Sequence, residues 1–254
     1  MRSLRFTGFM LLEYLRSGRV ALEIIATMVV FFVFLRRVGI SMNAEYFFSV
    51  TGVYAPILTL YTTAAFIGLG DRPQGYVLLA HGMSRTNYLL GIFGSALSIV
   101  AGSYGILALM AALFNRPLDL TIFGWMLGTI PLLLNVALLA ALMLMLSPLV
   151  FPSSWRLTVL GLIALAFSSN FIGGPIFESL PPLVRAILRA IQAVLGGPLV
   201  PAFYGFQLTV TRDYSSMTAV ANILAQISLL IALLGLAIYS FSRRDLIFSD
   251  GAQG

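Results

Sequence analysis

The side chains of this chain that could do chemistry are few, and their types narrow the field. His81 is the one imidazole, and there is no cysteine. A metal site built on several imidazoles or on thiolates is therefore excluded within one chain. Lysine is absent too, since all 15 basic residues are Arg. A phosphate-binding Gly-x-x-x-x-Gly-Lys loop cannot exist without its lysine, so the chain cannot hydrolyse ATP by that device. No Ser/His/Asp or paired-carboxylate constellation offers a shared site. As a general base, His81 would need a positioned partner within hydrogen-bond reach. The expectation is no catalytic residue, no metal and no cofactor in this chain.

Two sets of residues remain. The first is a compact run, Asp71-Arg72-Pro73-Gln74-Gly75-Tyr76-Val77-Leu78-Leu79-Ala80-His81-Gly82-Met83-Ser84-Arg85, followed by Thr86-Asn87-Tyr88-Leu89-Leu90-Gly91. A charged pair and a glycine precede a short apolar stretch, and a Ser-Arg turn closes it. Connections between helices are usually short and polar. This one is amphiphilic and too short to span, so it predicts a compact helix offering a surface to a partner. Arg72 and Arg85 bracket it. They serve as topology anchors or as planar forks for a partner's acids. The second set is polar residues inside apolar runs: Asn135, Asn222 and Gln226. Such residues face a bundle interior or a cavity. They fit a substrate path or, more plainly, interhelical hydrogen bonds.

The elements that position these residues are written in the composition. Of 254 residues, 59% are hydrophobic and 9% charged, with a mean hydropathy of +0.98. A soluble domain carries about 25% charged residues, so lipid is the expected solvent. The net charge of +6 does not point to nucleic acid, because the arginines sit at the edges of apolar runs, where they set topology. No secretory signal peptide is expected, since charge and aromatic residues open the chain and no small-residue cleavage site follows.

Uncharged runs separate Glu45 from Asp71, Arg85 from Arg116, Asp119 from Arg156, Arg156 from Glu178, and Asp213 from Arg243. Each holds the about 20 residues that a helix needs to cross the hydrocarbon. An earlier run carries Glu23 near its start and Arg36 and Arg37 at its end, charges that can snorkel to the interface. The reading is an all-α integral membrane protein with six spans, near 20–38, 46–69, 88–114, 120–147, 157–173 and 218–241. Pro131 predicts a kink in the fourth span, and Pro148 and Pro152 mark its exit. A further run, 190–211, is broken by Gly196, Gly197, Pro198 and Pro201. It predicts two half-helices within a re-entrant hairpin over 173–217 rather than a seventh span. With both termini cytoplasmic, nine arginines fall inside and six outside, which orients the chain.

Residues 1–19 predict an interfacial helix. At about 100° per residue, Arg2, Arg5, Glu13 and Arg16 share one face, and Leu4, Leu11 and Leu15 share the opposite one. Glycines at 102, 105, 124 and 128 let helices approach closely, in a dimer seam or within the chain. Phe203, Tyr204 and Phe206 read as an interfacial belt.

In this order, Asp71-Arg72, Gly75, Leu78-Leu79, Ser84-Arg85 and Leu89-Leu90-Gly91 resemble the first cytoplasmic loop of the type-2 ABC exporter permeases. The close of the last span, Tyr239-Ser240-Phe241-Ser242-Arg243-Arg244-Asp245-Leu246, is similar to that family's aromatic, basic, Asp-Leu ending. Leu180-Pro181-Pro182-Leu183-Val184-Arg185, with Pro198 and Pro201, resembles its external hairpin. The loop departs from the family at Pro73, at Gly82-Met83, and in a shorter Gly75–Arg85 spacing. The resemblance covers the whole chain. It implies that 71–87 is a cytoplasmic coupling helix, with Arg72, Gly75, Tyr76, Leu78, Leu79, His81, Ser84 and Arg85 in contact with an ABC ATPase, and that 242–254 is a cytoplasmic tail. It further implies two ATPase subunits carrying ATP and Mg, and a second copy of this permease or a paralogous one. The location would be the inner or plasma membrane and the substrate a lipid, drug or glycan. A secondary transporter or channel without an ATPase is the alternative, weakened by the lack of Asp, Glu, Lys, Arg or His in the middles of spans two to six. A membrane enzyme finds almost no suitable residues.

Overall fold

The structure, a computed structural model, describes residues 2–36, 41–70, 79, 83–151, 156–157, 159–160, 182–211, 214 and 216–243. Among the described residues every regular element is a helix. They are α1 (Arg2–Arg16), α2 (Arg19–Val30, extended by a π-helical turn Phe31–Leu35), α3 (Ala44–Gly70), α4 (Arg85–Phe114), α5 (Ile122–Met145), α6 (Pro182–Phe203), α7 (Gly205–Thr211) and α8 (Met217–Arg243).

Helices α3, α4, α5 and α8 are long and apolar enough to cross a membrane. Their 24 to 30 residues rise about 36–45 Å at 1.5 Å each, more than the hydrocarbon core of about 30 Å. A fifth candidate is the bent pair of α1 and α2, which meet at 77°. These helices suggest a membrane protein. They coincide closely with the runs expected at 46–69, 88–114, 120–147 and 218–241, and α2 with its π turn falls in the run at 20–38. The span expected at 157–173 lies almost wholly outside the described residues.

Local chemistry sets the helix ends. At the α1–α2 corner the Ser17 N–H donates to the Glu13 carbonyl at 2.9 Å. Gly18 then turns with φ +73°, a left-handed conformation that a Cβ disfavours. Ala44 N–H at the start of α3 donates to Asp119 Oδ1 at 2.7 Å, and Tyr46 N–H donates to Asn43 Oδ1 at 2.9 Å. Ser84 caps α4 by accepting from Asn87 N–H at 3.2 Å. Thr121 caps α5 by accepting from Gly124 N–H at 3.0 Å. Each side-chain oxygen takes one of the four N–H groups a helix start leaves open.

The core lies in two parts. One joins α1 to the end of α3, the start of α4, the end of α5 and the end of α8, through Phe6, Met10, Tyr14, Phe66, Tyr88, Leu144 and Phe241. The other joins α2, α3, α4 and α5 at the opposite end, through Phe31, Phe47, Phe48, Leu107 and Leu132.

Helix α1 buries Phe6, Met10 and Tyr14, four residues apart, while Leu4 and Leu15 of its expected apolar face are exposed and Leu11 packs partly on the core. Two expectations change. The chain does not break at Gly196, Gly197, Pro198 or Pro201, because α6 stays helical through all four and the interruption falls at Tyr204. Two prolines three apart remove donors from one side of a helix, and a helix packed on a neighbour, as α6 is on α8, tolerates that loss. Glu23 does not snorkel. It is fully buried.

Candidate functional site

The residues that sequence singles out around the connection between α3 and α4 divide sharply. Arg72, Gly75, Tyr76, Leu78 and His81 lie outside the described residues. Leu79 is partly buried and packs on the core. Ser84 spends its hydroxyl capping α4. Arg85 turns inward, its Nη1 donating to the backbone carbonyls of Phe241 and Ser242, each at 2.9 Å. The guanidinium also lies 5.9 Å from the Phe241 ring centre. A helix C-terminus leaves carbonyls without intrahelical donors and carries partial negative charge, so a cation is well placed there. Arg85 thus ties the start of α4 to the end of α8.

A second tie closes the same connection. The Tyr88 hydroxyl donates to the Gly70 carbonyl, the last of α3. The Tyr88 ring stacks between Phe6 of α1, at 5.0 Å, and Phe241 of α8, at 6.2 Å. Gly91 lets α1 approach, since a Cβ there would stand 2.2 Å from Cδ1 of Phe6. The Thr7 hydroxyl donates to the Gly91 carbonyl at 3.5 Å. The end of α3 at Gly70 and the start of α4 at Arg85 and Tyr88 are therefore both clamped, with α1 beside them.

The polar residues of the spans come together in part. Gln226 Nε2 donates to Asn135 Oδ1 at 2.8 Å, joining α8 to α5. Both are buried, so the pair acts as an interhelical hydrogen bond. Gln226 Oε1 is buried without a partner. Asn222, one turn earlier on α8, is half-buried. Gly128 serves packing within the chain, for a Cβ there would stand 2.3 Å from Cζ of Phe48 on α3. Gly102 and Gly105 face open space.

A polar joint at the α1–α2 corner was not singled out in advance. The Tyr14 hydroxyl donates to Glu23 Oε1 at 2.6 Å, and the Thr62 hydroxyl donates to the same oxygen at 2.5 Å. The Thr27 hydroxyl donates to the Glu23 backbone carbonyl at 2.7 Å and accepts from the Tyr54 hydroxyl at 2.6 Å. Side chains of α1, α2 and α3 thus converge on one carboxyl. Burial pushes the Tyr14 phenol above its ordinary value, and its bond to Glu23 adds to this because ionisation would lose the donated proton. The available signal was an acid inside an apolar run; a hydroxyl-rich stretch, Thr59, Thr62 and Thr63, was the matching half.

Comparison with family models, curated proteins and solved structures finds no match to this chain.

Proposed function

We propose that this chain is the permease subunit of an ATP-driven ABC exporter. It has six spans with both termini cytoplasmic, sits in the inner or plasma membrane, and pairs with a second permease and two ATPase subunits. The observation that carries the reading is the double clamp: Tyr88 on Gly70, and Arg85 on Phe241 and Ser242. A segment that delivers force must have rigid attachments, or its movement is absorbed locally. Here the connection between α3 and α4 is attached to three helices at its roots. The residues that carry the family resemblance at Ser84-Arg85 and at Tyr239–Arg243 meet at this one place. ATP binding would draw the ATPase subunits together, push the two connections, and rock the bundles against each other as rigid bodies.

Residues 173–217 would form the external hairpin, with the pathway between two permease copies. The substrate class is a lipid, drug or glycan, and an interior poor in charge favours the amphiphilic or apolar members, lipids or drugs.

Co-purification with site-directed cross-linking tests this. The chain has no cysteine, so Tyr76→Cys introduces the sole thiol. In native membranes it should cross-link to an ATP-binding-cassette subunit, and the isolated complex should hydrolyse ATP. A chain that purifies alone, with no ATPase attached and no cross-link at Tyr76→Cys, refutes the proposal.

A further inference from the structure

Glu23 carries an inference that does not depend on the exporter reading. Glu13, Glu23 and Glu45 are the acids within the described candidate spans and the bent pair of α1 and α2; Glu13 is half-exposed, and Glu45 is exposed in the first turn of α3. Glu23 is 0% exposed. Its two side-chain donors, Tyr14 and Thr62, both reach Oε1. Oε2 is buried with no hydrogen-bond partner.

A carboxylate offers about four lone-pair positions and needs donors on both oxygens. An ionised carboxyl with one bare oxygen, removed from water, is among the costliest arrangements a protein can hold. A cation could offset it, but none of the described residues does so. Arg19, on the same helix, donates to the Ala65 carbonyl at 3.3 Å. From α1, Tyr14 faces the carboxyl as a hydroxyl donor, while Glu13 is half-exposed and Arg16 exposed. From α3, Tyr54 is bonded to Thr27 and Tyr61 is exposed. The ionisable side chains of α4 bond elsewhere: Arg85 to Phe241 and Ser242, Tyr88 to Gly70, and Tyr104 to Thr129. The geometry suits a neutral acid, whose bare hydroxyl costs far less than a bare anionic oxygen. Thr63, beside Thr62, keeps a second buried hydroxyl oxygen without a partner, so an acceptor stands unfilled on the same turn of α3.

We propose that Glu23 is a proton-binding site, held as the neutral acid with its proton on Oε2 while Tyr14 and Thr62 donate to Oε1. Water reaches Oε2 only when the corner between α1 and α2 opens. Proton release and the lifting of α1 are thus linked, and each favours the other. The site would bind a proton when α1 docks and give it up when α1 swings away from the bundle.

Infrared difference spectroscopy on the full chain in phospholipid vesicles tests the protonation state directly. At neutral pH, wild type minus Glu23→Gln should show the carbonyl stretch of a protonated carboxylic acid, shifting to lower wavenumber in heavy water. Carboxylate bands in its place overturn the proposal. Should Glu23→Gln fail to fold, Tyr14→Phe carries the test. It leaves the acid intact and removes one bond to its carbonyl, so the same band should move to higher wavenumber. No acid band, or a band unmoved in Tyr14→Phe, overturns the assignment. The linkage is read separately. Met10 is 3% exposed and Leu4 75%, so maleimide labelling of Met10→Cys relative to Leu4→Cys reports the lifting of α1. That ratio should rise several-fold with pH in an otherwise wild-type chain and stay flat with Glu23→Gln. A ratio independent of pH in both backgrounds overturns the linkage.

Discussion

Gly91→Ala should loosen α1 from the bundle, and the size of the effect follows from the contact. A Cβ at Gly91 would lie 2.2, 2.9 and 3.3 Å from three atoms of the Phe6 ring. Carbon atoms pack at about 3.5–4.0 Å, so the ring must retreat by roughly 1.3 Å or more. It has little room. Phe6 is 6% exposed, and its other neighbour is the Tyr88 ring, stacked at 5.0 Å. Forcing an extra methyl into a filled site costs about 1–3 kcal/mol. Alanine also gains about 1 kcal/mol of helix propensity over glycine. That gain is shared by Gly102→Ala on the same helix, where the new Cβ meets nothing. The difference between the two variants isolates the clash. For a chain of this size it amounts to roughly 2–12 °C in unfolding temperature. Thermal unfolding of both variants in one detergent measures it, and Phe6→Leu combined with Gly91→Ala should recover much of the loss. Equal unfolding temperatures for Gly91→Ala and Gly102→Ala would refute the reasoning.

Other perturbations follow from the same contacts. Arg85→Ala removes two bonds to the end of α8 and should cost about 1–3 kcal/mol, seen as a lower unfolding temperature; under the proposed exporter reading it should also uncouple ATP hydrolysis in the complex with the ATPase. Gln226→Leu leaves Asn135 unpaired and should cost about 0.6–2 kcal/mol. Adding Asn135→Leu should restore stability, read as recovery of the unfolding temperature, if the pair is purely structural. Gly128→Ala drives a Cβ against the Phe48 ring at 2.3 Å and should cost about 1–3 kcal/mol, whereas Gly105→Ala should unfold at or above the wild-type temperature.

The helices were legible because charge-free runs measure span length directly, and lipid punishes a buried charge more than any propensity can offset. Their faces were less so. The helical wheel of α1 located its polar arc, with Arg5 exposed, but the two apolar arcs look alike in sequence. Only the neighbour decides which one packs, and Gly91 on α4 decided for Phe6. Gly91 was noted as part of a motif, and its packing role is invisible without knowing what lies opposite. Glu23 failed for a related reason. An acid one turn into an apolar run reads as an end anchor when its surroundings are taken to be lipid. The hydroxyls of Tyr14 and Thr62, from two other helices, change that solvent. Arg85 repeats the lesson, since its partners Phe241 and Ser242 lie over 150 residues away in sequence.

Arg85, Tyr88 and Glu23 share one consequence for how the bundle can move. Arg85 holds α4 to α8, Tyr88 holds α4 to α3, and Glu23 holds α1, α2 and α3 together. A push on the connection between α3 and α4 would therefore reach α1 and α8 through hydrogen bonds and stacked rings, with few soft links on the way. The joints differ in kind. The Arg85 and Tyr88 clamps end on backbone carbonyls, which carry no titratable proton. The Glu23 joint ends on a carboxyl, and a carboxyl can change its charge. Movement at this end of the bundle should thus give way first at the α1–α2 corner, where Gly18 already supplies the hinge with φ +73°. Two variants, compared in the Met10→Cys background, separate the two kinds of joint. Gly18→Ala strains the corner, since a left-handed residue with a Cβ costs about 1–2 kcal/mol, and should raise labelling at Met10→Cys while leaving the Arg85 clamp intact. Arg85→Ala should loosen the end of α8 and leave labelling at Met10→Cys unchanged. If both variants expose Met10→Cys equally, the two joints are one cooperative unit and the order of opening argued here is wrong.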